Sequence, residues 1–159
     1  DLIVRPFFAI DDAIPNGNAL VADNLVRLWH LTGEPRYRDR AEALFTAFAA
    51  DIRRAALGHC AFLNAFDLAD RAAQAVLVSG GEGDGTVLAG ILRAASPTTV
   101  ISSLIEDGAN MPAGHPAHGK KAVDGKSTAF VCREGRCSLP LTDPGEFEAA
   151  LRPAAPASR

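Results

Sequence analysis

Asp11-Asp12-Ala13-Ile14-Pro15-Asn16-Gly17-Asn18, followed at once by the apolar-rich run Ala19 to Leu31, is the stretch from which the rest of the chain is read. Pro15 fixes its own φ and pushes Ile14 towards an extended conformation, so no helix runs through this point. Asn16 and Gly17 tolerate positive φ, and an Asn side chain bonds nearby backbone N–H groups, which makes Asn16 or Asn18 an N-cap for the helix that follows. The eight residues read in two ways. In one they are turn and cap chemistry throughout. In the other, Asp11, Asp12, Asn16 and Asn18 surround a helix N-terminus at the mouth of a helical barrel and contact a ligand. The partial positive charge and unpaired N–H groups of a helix start suit an anion or a polyol hydroxyl.

Working outward, the spacing predicts a helix over 17–32, with Leu20, Asn24, Leu28 and Leu31, flanked by Val21 and Leu25, as its inward stripe. Gly33 fits the position that ends it, and Glu34-Pro35 starts a second helix that fades near 51–54. Tyr37, Ala41, Leu44, Phe45 and Phe48 face inward there, giving an antiparallel helical hairpin. A third helix over 59–74 carries Phe62, Leu63, Phe66 and Leu68 among many alanines, and Cys60 reads as a small buried hydrophobe. Residues 1–10 form an irregular lead-in whose Phe7, Phe8 and Ile10 cover a core.

The character changes after residue 74. A strand over 75–79, a loop, a helix from an Asp84 cap to Ala95, and a β-branched strand from Thr99 to Leu104 make a βαβ unit, which must cross over right-handed into a parallel pair. Gly80-Gly81-Glu82-Gly83-Asp84-Gly85 is no phosphate loop, because it lacks Gly-Lys-Ser/Thr and its acids repel phosphate. Residues 106–127, rich in Gly, Pro, Ala and Lys, read as a long surface loop. Met111, His115 and His118 lie there on a segment that Pro116 keeps from being helical, and no second shell fixes them as metal ligands. A hairpin around Arg133-Glu134-Gly135-Arg136 then pairs 128–132 with 137–141, and Asp143 caps a last helix to about Leu151. Cys132 and Cys137 end the hairpin strands, and read either as structural thiols or as a redox or disulfide pair. The fold class is α+β, divided as 1–74 helical, 75–152 a small α/β subdomain and 153–159 a disordered tail. Strand-helix-strand followed by strand-strand-helix also formally matches a thioredoxin-like core. Without a cysteine at the first strand–helix junction, it has no dithiol at the usual place.

Composition narrows the partners. The 159 residues are 48% hydrophobic and 22% charged, as in globular proteins, and the net charge of −3 gives no reason to expect nucleic acid or an anionic membrane. No apolar run approaches the ~20 residues of a membrane span. Three cysteines are not a secreted disulfide framework, so a cytoplasmic setting is expected, with no metal and no cofactor. A start at Asp1-Leu2-Ile3-Val4 without an initiating Met points to a fragment.

Asp11-x-Ala13-x-Pro15-x-Gly17-Asn18, then a helix ending Leu31-Thr32-Gly33-Glu34-Pro35-Arg36-Tyr37, resembles the C-terminal part of the YyaL-like family, the spermatogenesis-associated proteins of the thioredoxin-domain type. The family pattern Asp-Gly-Ala-x-Pro-Ser-Gly-Asn-Ser is changed at three places: Asp12 stands for Gly, and Asn16 and Ala19 stand for the two Ser. A second block, Ala129-Phe130-Val131-Cys132, then Cys137 and Pro140, is similar to the family's hairpin and lies in the expected order. The resemblance implies an upstream thioredoxin-like domain and an α/α barrel similar to six-hairpin glycosidases and N-acylglucosamine 2-epimerases. Carbohydrate is then the implied ligand, and the missing upstream chain the implied partner. Sugar chemistry of that kind needs two groups facing a ring across a cleft. Adjacent Asp11 and Asp12 supply at most one, so the chain alone is expected to be inert. The alternative is a non-catalytic regulatory or interaction module of a redox protein.

Overall fold

A computed structural model describes residues 8–81, 85–95 and 99–152. Phe7, the Asp84 cap and the Pro-Ala tail lie outside them. Within them the chain is α+β. Helices α1 (Gly17–Thr32), α2 (Pro35–Arg54) and α3 (Cys60–Arg71) come first, with a 3-10 turn at Ala56–His59. Strand β1 (Ala73–Ser79), helix α4 (Gly85–Ala94) and strand β2 (Val100–Glu106) follow, then β3 (Thr128–Arg133), β4 (Arg136–Cys137) and α5 (Pro144–Leu151). Two compact units emerge: one runs to Trp29 and resumes over Glu34–Asp70, and the other joins His30–Gly33 to the chain from Arg71 onward.

In the helical unit, Asn16 is the N-cap of α1. Its side-chain oxygen accepts from the Asn18 N–H at 2.9 Å, and its carbonyl accepts from Leu20 N. Pro35 sits in the first turn of α2, where the missing N–H leaves no bond unmade. Ala19 and Ala22 of α1 meet Phe48 of α2 and Phe62 and Ala65 of α3 in one core, with Ala9 closing it. Phe62 lies tilted against Phe48 and edge-on to Phe45, whose ring centroid is also 5.5 Å from that of Phe66.

Four readings of this region are corrected. The buried stripe of α1 is Ala19, Ala22 and Val26, and Leu20, Val21 and Leu28 are exposed. Small residues let the helices approach closely, so the alanine face turns inward and displaces the leucines. In the same way Ala9 is buried while Phe8 and Ile10 are exposed, and α3 buries Phe62, Ala65 and Leu68 but leaves Leu63 and Phe66 outside. Cys60 is exposed at the first turn of α3.

The second unit is built on a four-stranded sheet of order β2-β1-β3-β4. β1 pairs in parallel with β2 and antiparallel with β3. The third helix stops at Arg71, short of residue 74, because Ala73 and Gln74 already pair with Val100 and Ile101. One sheet face, Ala73, Ala75, Leu77, Val100, Ala129 and Val131, is covered by Leu88 and Leu92 of α4 and by Phe147 and Leu151 of α5. Asp143 starts α5, accepting from the Glu146 N–H at 2.9 Å.

The opposite face corrects the surface-loop reading of 106–127. Ala117 is buried there with Val76, Val78 and Phe130, and Met111 and Ala122 pack beside it. The segment winds through turns, with His115 N bonding Pro112 O, His118 N bonding His115 O and Lys120 N bonding Ala117 O. Asp124 and Gly125 both take positive φ and make a tight turn that returns Lys126 N to Val123 O. The same turn type joins β3 to β4, with Glu134 at φ 49 and Gly135 at φ 75. The predicted second hairpin strand to Leu141 is cut short. Cys132 pairs with Cys137, yet Ala129 bridges Leu141, so one extra residue intervenes where Pro140 offers no N–H.

Gly33 takes φ 73, and a Cβ there would stand 2.1 Å from the Gly114 carbonyl oxygen. Gly33→Ala is expected to cost about 2 kcal/mol or more in urea denaturation, from the left-handed backbone together with the clash. Gly17→Ala, which meets open space, is expected to change stability by less than about 1 kcal/mol.

Candidate functional site

Asp11, Asn16 and Asn18 are brought together, and each is spent on the fold. The Asp11 carboxylate accepts from Asn16 N at 2.8 Å and from Ala61 N at 2.9 Å, while its own N–H bonds Gly58 O. One side chain thereby caps the start of α3 across the sequence and fixes the turn leading into α1. Asn16 Nδ2 donates to Ile10 O, and Asn18 Nδ2 donates to Phe8 O. Asp12 is exposed. The segment is a clamp made of caps.

A cleft of about 230 Å³ between the three helices is lined by Trp29, Arg38, Glu42, Phe45, Phe66 and Asp70, among others. An aromatic face beside two carboxylates is the residue set a sugar ring requires. The Arg38 guanidinium, however, stands 5.8 Å over the Trp29 ring and 3.7 Å from Glu42, occupying the face on which a sugar would stack.

In the sheet unit, Cys132 and Cys137 face each other in register, 3.9 Å apart at Cα, and form a disulfide. The turn with two positive φ residues is what aligns them. Cys132 is buried, at 2% exposure, and Cys137 is exposed. Lys120, carried by the wound segment, places Nζ 3.4 Å from Cys137 Sγ and 5.0 Å over the Phe130 ring. Partial burial holds that ammonium below its ordinary range. Sequence reasoning missed Lys120. The Asp124-Gly125 turn signal, which breaks the long segment into a packed return, was the pattern that could have placed it near the hairpin.

The histidines are structural. His115 Nδ1 accepts from Ala117 N, and His118 Nδ1 bonds Met111 O. His30 Nδ1 and its carbonyl both bond the Gln74 amide. Among the described residues no three His, Cys, Asp or Glu side chains converge as metal ligands, and no helix is long and apolar enough to cross a membrane.

Compared with known proteins, the chain is 25% identical to human spermatogenesis-associated protein 20 over 90% of its length. The rat and mouse proteins of that name are 24% and 23% identical over 89% of it. The chain is similar to spermatogenesis-associated protein 20. It spans 18–19% of the length of these relatives. No family model matches it, and no solved structure does.

Asp11→Ala is expected to lower stability by about 2 kcal/mol in chemical denaturation, because it leaves two N–H groups without their carboxylate. Asp11→Asn, which keeps an acceptor oxygen, is expected to lose about half as much. A pH dependence follows from the histidines. Burial lowers His30 and His115 below their ordinary value of 6.5, so the unfolded chain binds more protons just below that pH. Stability is therefore complete above 6.5 and falls as the pH drops from 6.5 towards the lowered folded-state values. His30→Asn is expected to flatten the difference between urea midpoints at about pH 7.5 and about pH 5.5.

Proposed function

We propose that this chain is a non-catalytic interaction module of a larger protein, and that its helical unit packs against further parts of that protein. The observation that carries this reading is the outer face of the unit. Leu20, Val21 and Leu28, which share one face of α1, are 49%, 50% and 40% exposed, and on α3 Leu63 and Phe66 are exposed as well. Large apolar side chains sharing an exposed helix face mark a surface that another surface covers. A chain that spans less than a fifth of its relatives supplies the natural occupant, namely the remainder of a longer protein. By the resemblance, that remainder holds a thioredoxin-like domain and the other helices of an α/α barrel, which makes the whole a redox protein.

Carbohydrate chemistry finds less support in this chain. Asp11, Asn16 and Asn18 are committed to backbone N–H and carbonyl groups, and Arg38 covers Trp29. A sugar site in the whole protein would draw its acid–base pair from elsewhere.

The isolated chain is expected to self-associate as its concentration rises, measured by analytical ultracentrifugation. Leu20→Gln with Leu28→Gln is expected to reduce that association while shifting the unfolding free energy by less than about 1 kcal/mol, as exposed positions do. In the full-length protein the same pair should weaken retention of this module after limited proteolysis. A monomeric isolated chain, together with a full-length protein indifferent to the pair, would overturn the reading. Titration calorimetry of the isolated chain with neutral oligosaccharides is expected to show no binding.

A further inference from the structure

The hairpin disulfide is chemically lopsided. Cys132 is buried, so solutes do not reach its sulfur. Cys137 is exposed, with the Lys120 ammonium 3.4 Å from its sulfur. At the same sheet margin, on the face that α5 covers, lies a shallow cleft of about 390 Å³ lined by Val131, Arg133, Arg136, Cys137, Ser138 and Ala150. Arg133 is held in place by the carbonyls that end α5, bonding Ala150, Leu151 and Arg152 oxygens at 3.3, 3.1 and 2.9 Å. Glu134, at the tip, is the acid of the 128–141 segment. Arg133 and Arg136 pair with each other one position along the hairpin, on the face that α5 covers, so the cation set at the exposed sulfur of this chain of net charge −3 is Lys120.

We propose that Cys137 is the exchanging sulfur of this pair, that Lys120 supports its thiolate, and that this cation favours a small anionic thiol or its disulfide, such as a cysteine-containing peptide with free carboxylates. In the reduced protein the Cys137 thiolate attacks one sulfur of the anionic disulfide. The bond between the two ligand sulfurs breaks and one ligand thiolate leaves. Cys132 then gives its proton to solvent and attacks Cys137 Sγ. The mixed bond breaks, the second ligand thiolate leaves, and the Cys132–Cys137 bond closes. The protein's two thiols are oxidised by two electrons and the ligand disulfide is reduced to two thiols. Run in reverse, an anionic thiolate attacks Cys137 and expels Cys132. Attack at Cys132 is barred in either direction by its burial. Lys120 stabilises charge at Cys137 as the sulfur becomes or leaves as a thiolate, the effect that any nearby cation has on a cysteine.

The test starts with the unaltered chain. Its disulfide is reduced by mercaptoethanesulfonate, which is anionic, and by cysteamine, which is cationic, each rate being normalised to that thiol's rate with a small linear disulfide. The anionic thiol is expected to be favoured by about fivefold, a preference that Lys120→Met and added salt diminish. A Cys60→Ser background removes the exposed third thiol. In it, Cys132→Ser is expected to form a mixed disulfide with oxidised glutathione, seen by intact mass, and Cys137→Ser to form it far more slowly while folded. Lys120→Met, which keeps the stem over Phe130, is expected to raise the pH at which Cys137 alkylation reaches half its maximal rate, and Lys120→Arg to restore it. A charge-blind reduction rate, equal adducts at both positions, or an alkylation profile indifferent to Lys120 would each overturn the proposal. A disulfide that no thiol reduces without denaturant would overturn it as well. None of these results bears on whether the helical unit docks.

Discussion

Strand β1 has to be covered on both faces, and the second unit is arranged to meet that demand. Ala73, Ala75, Val76, Leu77 and Val78 are fully buried, so the strand presents apolar surface to two sides at once. Helices α4 and α5 cover one side. The turns of 107–127 cover the other, pressing Met111, Ala117 and Ala122 onto Val76, Val78 and Phe130. Ser127 and Gly125 tie this cover to the end of β1, through Gly80 N and Gly81 N. Lys120 is delivered to Cys137 as a by-product. The chemistry proposed for the hairpin thus depends on a packing requirement two strands away.

The helical unit obeys a different rule. Its core is made of alanines facing phenylalanines, so backbones lie close and aromatic rings fill what the small side chains leave. Such a core specifies its geometry through caps and turns as much as through volume. That is why one carboxylate, Asp11, is placed to hold both the turn before α1 and the start of α3. Polar residues that cluster around a helix start can be ligands or masonry. Here Asp11, Asn16 and Asn18 all bond backbone groups of the fold.

Much of the fold was legible from local chemistry. Pro15, Gly33 and Pro35 bracket α1 and open α2 at the positions observed, Asp143-Pro144 opens α5, and Glu134-Gly135 dictates a two-residue turn. What could not be read were facts set by tertiary context. The leucines of α1 have the stronger apolar signal, yet the alanines win the interior because close helix approach is worth more than the burial of any one leucine. The 106–127 segment has no period, since a cover assembled from consecutive turns places Met111, Ala117 and Ala122 by chain reversal. Of the site, Cys132 and Cys137 were visible as a facing pair, but the cation beside them was not. Its position depends on how fifteen or so residues fold over a sheet, on the order of the loop lengths that sequence patterns leave undefined.

The brevity of β4 has its own outcome. With order β2-β1-β3-β4, the outer margin of the sheet on the hairpin side is Arg136 and Cys137, after which the Pro140 kink takes the chain out of register. An incoming extended peptide would find too few backbone donors and acceptors there to anchor it, and an arginine already standing at the margin. The hairpin therefore resists being recruited as a template by other chains, and its outward sulfur stays open to small solutes while larger extended segments are turned away.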